Sequence, residues 1–110
     1  QLTHDGAWKV FEQEDLMQMV VGNEPRFREF LKTSSMTLSV YHLPVGSEDM
    51  QAPHYEDEVY VVLSGRATLQ VEDKEYDVAK GSVLFVRANT GHSFFDIKED
   101  LTVLAVFSDG

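Results

Sequence analysis

His54, Glu58 and His92 are the residues of this chain whose types and spacing point to chemistry. Two imidazoles and a carboxylate make a ligand set suited to a divalent transition metal, whereas a hard ion such as calcium prefers oxygen throughout. His54 and Glu58 stand four apart in the run from Pro53 to Gly65, and His92 follows Gly91. Glu58 is the most telling of the three, because it sits among Val59, Tyr60, Val61 and Val62. A carboxylate buried there is costly without a cation or hydrogen bonds. It binds a metal, pairs with a buried donor such as Tyr41 or His42, or lies on a rim.

Strands are what must bring these groups together. Residues two apart in a strand share a side. Regular pairing sends Glu58, Tyr60 and Val62 inward and Val59, Val61 and Leu63 outward. On a later strand His92, Phe94 and Asp96 take one side, and Ser93, Phe95 and Ile97 the other. Two strands meeting inside a barrel then set His54, Glu58 and His92 around one point. Tyr60 and Phe94 share parity with these ligands and, with Tyr41, are the expected pocket residues. Phe85 and Phe107 fit a β-rich core equally well. His42 reads as a satisfied strand histidine, His4 as a surface one, and Arg66 and Arg87 as surface partners of the abundant acids.

The punctuation from Met36 onward is that of an all-β protein. Strands are expected at Met36–Leu43, Glu58–Leu63, Ala67–Glu72, Glu75–Val78, Val83–Val86, His92–Ile97 and Leu101–Phe107. Ser64–Gly65 separates the second from the third, and Asp73–Lys74 makes a hairpin turn. Short β-rich runs at such spacing argue a sandwich or closed barrel. Before them, Leu16, Met17, Met19 and Val20 form a short helical turn after Asp15, Pro25 ends it, and Arg26–Leu31 reads as a strand. The expected division is an N-terminal extension over 1–24 and a barrel over 25–110. In the last strand Leu101, Val103, Ala105 and Phe107 share one side, and Leu104 and Val106 the other. Both faces therefore need cover, from a second copy of the sheet or from the N-terminal segment. A homodimer is the expectation.

Composition narrows the partners. The chain has 110 residues, enough for one domain with a true core. It has no cysteine, which excludes disulfides, thiolate metal sites and cysteine nucleophiles. Nineteen acidic residues against nine basic ones give a net charge of −10. Such a surface repels phosphate backbones and anionic lipid, so neither nucleic acid nor a membrane is an expected partner. No apolar run approaches membrane-spanning length and no basic-then-apolar leader opens the sequence, so the expected address is the cytoplasm.

The segment from Gly46 to Gly65 resembles the first motif of the cupin superfamily, and Gly81 to Asp96 resembles the second. Glu58, six intervening residues and Gly65 keep the first motif's spacing, with His54 at its second histidine position and Ala52 at its first. In the second, Gly81 and His92 keep their places, while Arg87, Asn89 and Asp96 replace the usual proline, glycine and asparagine. The resemblance implies a double-stranded β-helix, or jelly-roll, barrel, usually dimeric. It also implies a metal site of which Ala52 removes one of four usual ligands. His54, Glu58 and His92 remain, with Glu56 or Gln51 as alternative further ligands, to hold iron, manganese, nickel or zinc.

Function is less determined than fold, since cupins include enzymes, sensors and storage proteins. One expectation is a metal-binding cupin acting on a small organic molecule inside the barrel, dioxygenase- or isomerase-like. The alternative is a non-catalytic ligand-binding or sensor cupin with a degenerate metal site. A third is a chiefly structural, dimerising domain.

Overall fold

The computed structural model describes residues 6–49 and 55–108. A helical turn α1 (Gln13–Gln18) precedes six strands: β1 (Arg26–Lys32), β2 (Met36–Leu43), β3 (Glu58–Val71), β4 (Lys74–Ala79), β5 (Val83–Val86) and β6 (His92–Ser108). All pairings are antiparallel, in the order β1-β2-β6-β3-β4, with β5 also on β3.

Two strands are longer than the sequence suggests. Glu58–Leu63 and Ala67–Glu72 are one continuous strand, β3, because Gly65 bends the chain without ending it. Gly65 has φ of +93°, and a β-carbon there would stand 2.1 Å from the carbonyl oxygen of Asp100. Only glycine permits both the left-handed backbone and this approach. The pairing register slips between Val62 and Thr68 as β6 bends alongside, so His92–Ile97 and Leu101–Phe107 are likewise one strand. The first half of β3 pairs with β5 and the second half with β4. Two long strands thus fold the ladder over on itself, and their concave sides enclose the interior.

That interior holds Tyr60, Val62, Leu69, Phe94, Leu101 and Val103, all less than 5% exposed. The alternation expected for Glu58 to Leu63 holds: Glu58, Tyr60 and Val62 are buried, and Leu63 belongs to a second cluster on the other face. That second cluster joins Val40 and Leu63 of the sheet to Phe30, Leu16 and Val20. The segment around α1 therefore packs against the convex face of its own sheet. Full burial of Leu16 and Val20 contributes roughly 1.5–3 kcal/mol each. His42, buried on β2, ties the same segment down. Its Nε2 donates to the Gly22 carbonyl at 3.2 Å, and its Nδ1 lies in hydrogen-bond contact with the Thr102 hydroxyl at 2.9 Å.

Two local expectations are corrected. The β3–β4 turn falls on Glu72 and Asp73 rather than on Asp73–Lys74, with Glu72 at φ of +55° and Lys74 already paired to Val71. Asp96 does not follow His92 and Phe94 inward. Its left-handed backbone, φ +49°, advances the alternation by one, so Asp96 is exposed and Ile97 enters the core. Among the described residues no helix is long and apolar enough to cross a membrane.

Candidate functional site

Glu58 opens β3 and His92 opens β6, and they come from opposite halves of the folded ladder. Glu58 pairs with Val86 and Phe107, whereas His92 pairs with Val71 at the far end of β3. Folding β3 at Gly65 brings those distant registers face to face. The turn leading to His92 is fixed by the Thr90 N–H on the Arg87 carbonyl and the Glu72 N–H on the Gly91 carbonyl.

Three side chains meet there. The carboxylate oxygen Oε2 of Glu58 lies 3.4 Å from Nε2 of His92, and these side chains are 2% and 1% exposed. The Tyr60 hydroxyl donates a short hydrogen bond to the same Oε2 and lies 3.0 Å from Nε2. Nδ1 of His92 is 2.8 Å from the Thr90 carbonyl, which can only accept, so Nδ1 carries a proton. The hydrogen bond with Glu58 is the chief reason that His92 holds its second proton to higher pH than an ordinary histidine. Burial opposes that effect, while the Thr90 carbonyl and the negative charges of Glu58 and Asp49 add to it. The Tyr60 hydroxyl bridges the two side chains.

Phe94 packs edge-on to Tyr60, with ring centroids 5.4 Å apart. Both rings are at most 1% exposed, so they wall the polar cluster off from the core. Tyr41 is half-buried on β2 and reaches the site indirectly. Its hydroxyl donates to Asp49 Oδ1 at 2.7 Å, and Asp49 Oδ2 accepts from the Phe94 backbone N–H at 2.9 Å. Burial first, and then Asp49, pushes the Tyr41 phenol above its ordinary range, so it stays protonated.

Of the residues expected at the site, Glu58, His92, Tyr60 and Phe94 are together, and Tyr41 lies one residue removed. His54 and Gln51 lie outside the described residues. Glu56 sits half-buried before β3, beside Asp57 and Ala88. It does not join Glu58 and His92, since the described residues contain no group of three or more His, Cys, Asp or Glu placed to hold a metal. The buried donor to Glu58 is not Tyr41 or His42 but Tyr60, two places along the same strand. Shared parity was the signal for that contact. Asp49 and Thr90 escaped the sequence reading: Asp49 is one acid among nineteen, and Thr90 acts through its backbone.

Comparison with known proteins places this geometry in a family. A model of the cupin domain matches residues 39–107. An uncharacterized protein of Streptomyces coelicolor is 42% identical over 100 residues, covering 91% of this chain and 95% of that protein. A solved structure of an uncharacterized conserved protein with a double-stranded β-helix domain, from Klebsiella pneumoniae, aligns with a TM-score of 0.79. It is 18% identical, with 94% of this chain and 91% of that one covered. A DMSP lyase from Ruegeria pomeroyi aligns at 0.71 and 17% identity, over 77% of this chain and 47% of that one. Likeness at these identities is likeness of fold. By the match across most of its strands and by the barrel they form, the chain belongs to the cupin family.

Proposed function

We propose that this chain is a metal-binding cupin that acts on a small organic molecule inside the barrel, in a dioxygenase- or isomerase-like reaction, with His54, Glu58 and His92 as ligands. The observation that carries this reading is the buried Glu58 carboxylate facing His92 Nε2 at 3.4 Å. Two donors each about 2.1 Å from one tetrahedral ion stand roughly 3.4 Å apart, so the pair fits a single ion. The remaining ring nitrogen of His92 is anchored on a backbone carbonyl, as ligating histidines usually are. A bound iron, manganese, nickel or zinc ion supplies Lewis acidity toward an oxygen of the ligand. The protein's own part is to hold the Tyr60 proton beside Glu58, to fix the His92 ring and to exclude water behind Tyr60 and Phe94. The occurrence of a lyase on the same fold supports chemistry in such a barrel, without naming the reaction.

A second reading is favoured by a specific observation. The Tyr60 hydroxyl already joins Glu58 to His92, and Ala52 stands at a usual ligand position. On that reading the protein captures a small ligand without turnover and its metal site is degenerate. Elemental analysis after reconstitution with manganese, iron(II), nickel and zinc decides between them. One ion per chain, lost in His92→Ala and kept in His4→Ala, supports the first. Well under one ion per chain with every metal sinks it in favour of the second. The assembly we propose is a homodimer, supported by the exposed apolar Val10 and Phe27. A monomer mass in solution would refute it.

A further inference from the structure

His92 and Phe94 stand on the first half of β6, which among the described residues pairs with a strand on one side only. His92 to Phe95 pair with β3, whereas β2 joins β6 only from Leu101 to Ser108. The open side of a strand leaves backbone N–H groups that need partners from elsewhere. At Phe94 a side chain supplies one. Asp49 Oδ2 accepts the Phe94 N–H at 2.9 Å, and Asp49 Oδ1 accepts the Tyr41 hydroxyl at 2.7 Å.

Where these two bonds fall matters for the site. Tyr41 belongs to β2 and Phe94 to β6, so one half-buried side chain clamps the two strands where no ladder joins them. Hydrogen bonds to a carboxylate are roughly twice as strong as neutral ones. His92 is thereby fixed from both sides. Its ring rests on the Thr90 carbonyl at 2.8 Å, and two residues later the backbone is held by Asp49. The Phe94 ring, placed by that same backbone, packs edge-on to Tyr60, whose hydroxyl touches Glu58 and His92.

Position, rather than charge, is the larger part of what Asp49 gives. The Glu58 hydrogen bond is the chief influence on the His92 proton, and the charge of Asp49 is the least of those that raise it. An asparagine therefore separates the two contributions. Its amide oxygen can accept from the Phe94 N–H while its amide nitrogen donates to the Tyr41 oxygen, which keeps the clamp and removes the charge. Alanine removes both.

We propose that Asp49 is a positioning residue of the site, holding Phe94 and Tyr41 so that His92 and Tyr60 meet Glu58. The role stands whether or not an ion is bound, because neither Tyr41 nor Phe94 belongs to the metal donor set. The test follows the His92 and Tyr60 ring resonances of isotope-labelled protein, kept in a chelator at one pH. Asp49→Ala should move these resonances well beyond where Asp49→Asn leaves them. Both variants lose the charge, so the difference between them reports position. Tyr41→Phe, which removes one of the two bonds, should move them in the same direction and less, and it decides the matter if Asp49→Ala does not fold. Leu16→Ala, which unpacks the convex cluster, should leave them in place although it destabilises the fold. Zinc titration then reads the consequence: Asp49→Ala weakens binding about tenfold or more, and Asp49→Asn about threefold or less. A wild type that takes up no zinc counts against the metal reading alone, since the ring resonances are read without metal. Resonances that coincide in Asp49→Ala and Asp49→Asn, or that move as far in Leu16→Ala, would overturn the proposal. So would their staying in place in Tyr41→Phe.

Discussion

The two histidines buried among the strands, His42 and His92, are equally hidden at 8% exposure yet sit in opposite kinds of environment. His42 lies between a hydroxyl and a carbonyl, neutral groups that use both ring nitrogens and leave nothing facing a cavity. His92 lies between a carbonyl and a carboxylate, with a phenol touching the ring and the carboxylate. The first arrangement is complete as a neutral network that fastens the N-terminal segment to the sheet. The second sets the ring's Nε2 against the buried Glu58 side chain. Burial alone does not distinguish structure from site; the charge of the partner does.

Both environments depend on one hinge. Gly65 lets β3 fold back so that His92 reaches Glu58, and it sits where β6 turns toward Thr102, the partner of His42. Gly65→Ala puts a methyl group 2.1 Å from the Asp100 carbonyl at a φ of +93°. Strain and overpacking together should cost about 3 kcal/mol or more. Urea unfolding measures it. A loss under about 1 kcal/mol would show that the bend does not need glycine.

A smaller effect separates the two histidines themselves. His42→Ala leaves the Gly22 carbonyl and the Thr102 hydroxyl without their partner and removes ring packing, which should cost about 1–3 kcal/mol. Metal stoichiometry should not change. If His42→Ala lowered metal content as His92→Ala is expected to, the contrast between fastening and site would fail.

The sequence made much of this comparison readable. Alternation from Glu58 to Leu63 correctly sorted the inward Glu58, Tyr60 and Val62 from the outward Leu63, because that half of β3 is regular. Motif spacing singled out Glu58 and His92, although their registers are far apart along the ladder. What stayed hidden was non-local or carried by the backbone. Ser64–Gly65 looked like a strand end because a glycine that bends a strand and one that ends it read alike. Only the closeness of Asp100 distinguishes them. Asp96 broke parity by adopting a left-handed backbone that no single-residue preference announced. Asp49 acts across the barrel mouth on β2 and β6, and nothing in its neighbourhood along the chain marks it.

The finest test of the comparison is the pH dependence of stability in metal-free protein. His92 is held protonated to higher pH in the folded state, chiefly by its hydrogen bond to Glu58, than in the unfolded chain, where its value is about 6.5. A raised folded value means that the native state binds the extra proton more tightly. The resulting stability is fully present below about pH 6.5 and is lost as pH rises through the folded value. Unfolding free energy should therefore fall on going from pH 6 toward alkaline pH. The other acids superimpose their own dependence, so the measured quantity is the difference between wild type and His92→Gln across the series. That difference should shrink as pH rises. On the proposed metal-binding reading, added metal should reverse the trend, since ion and proton would compete for Nε2. A wild type to His92→Gln difference that stays flat or grows with pH would mean that Glu58 does not hold His92 charged, and that the two histidines differ in neighbours but not in chemistry.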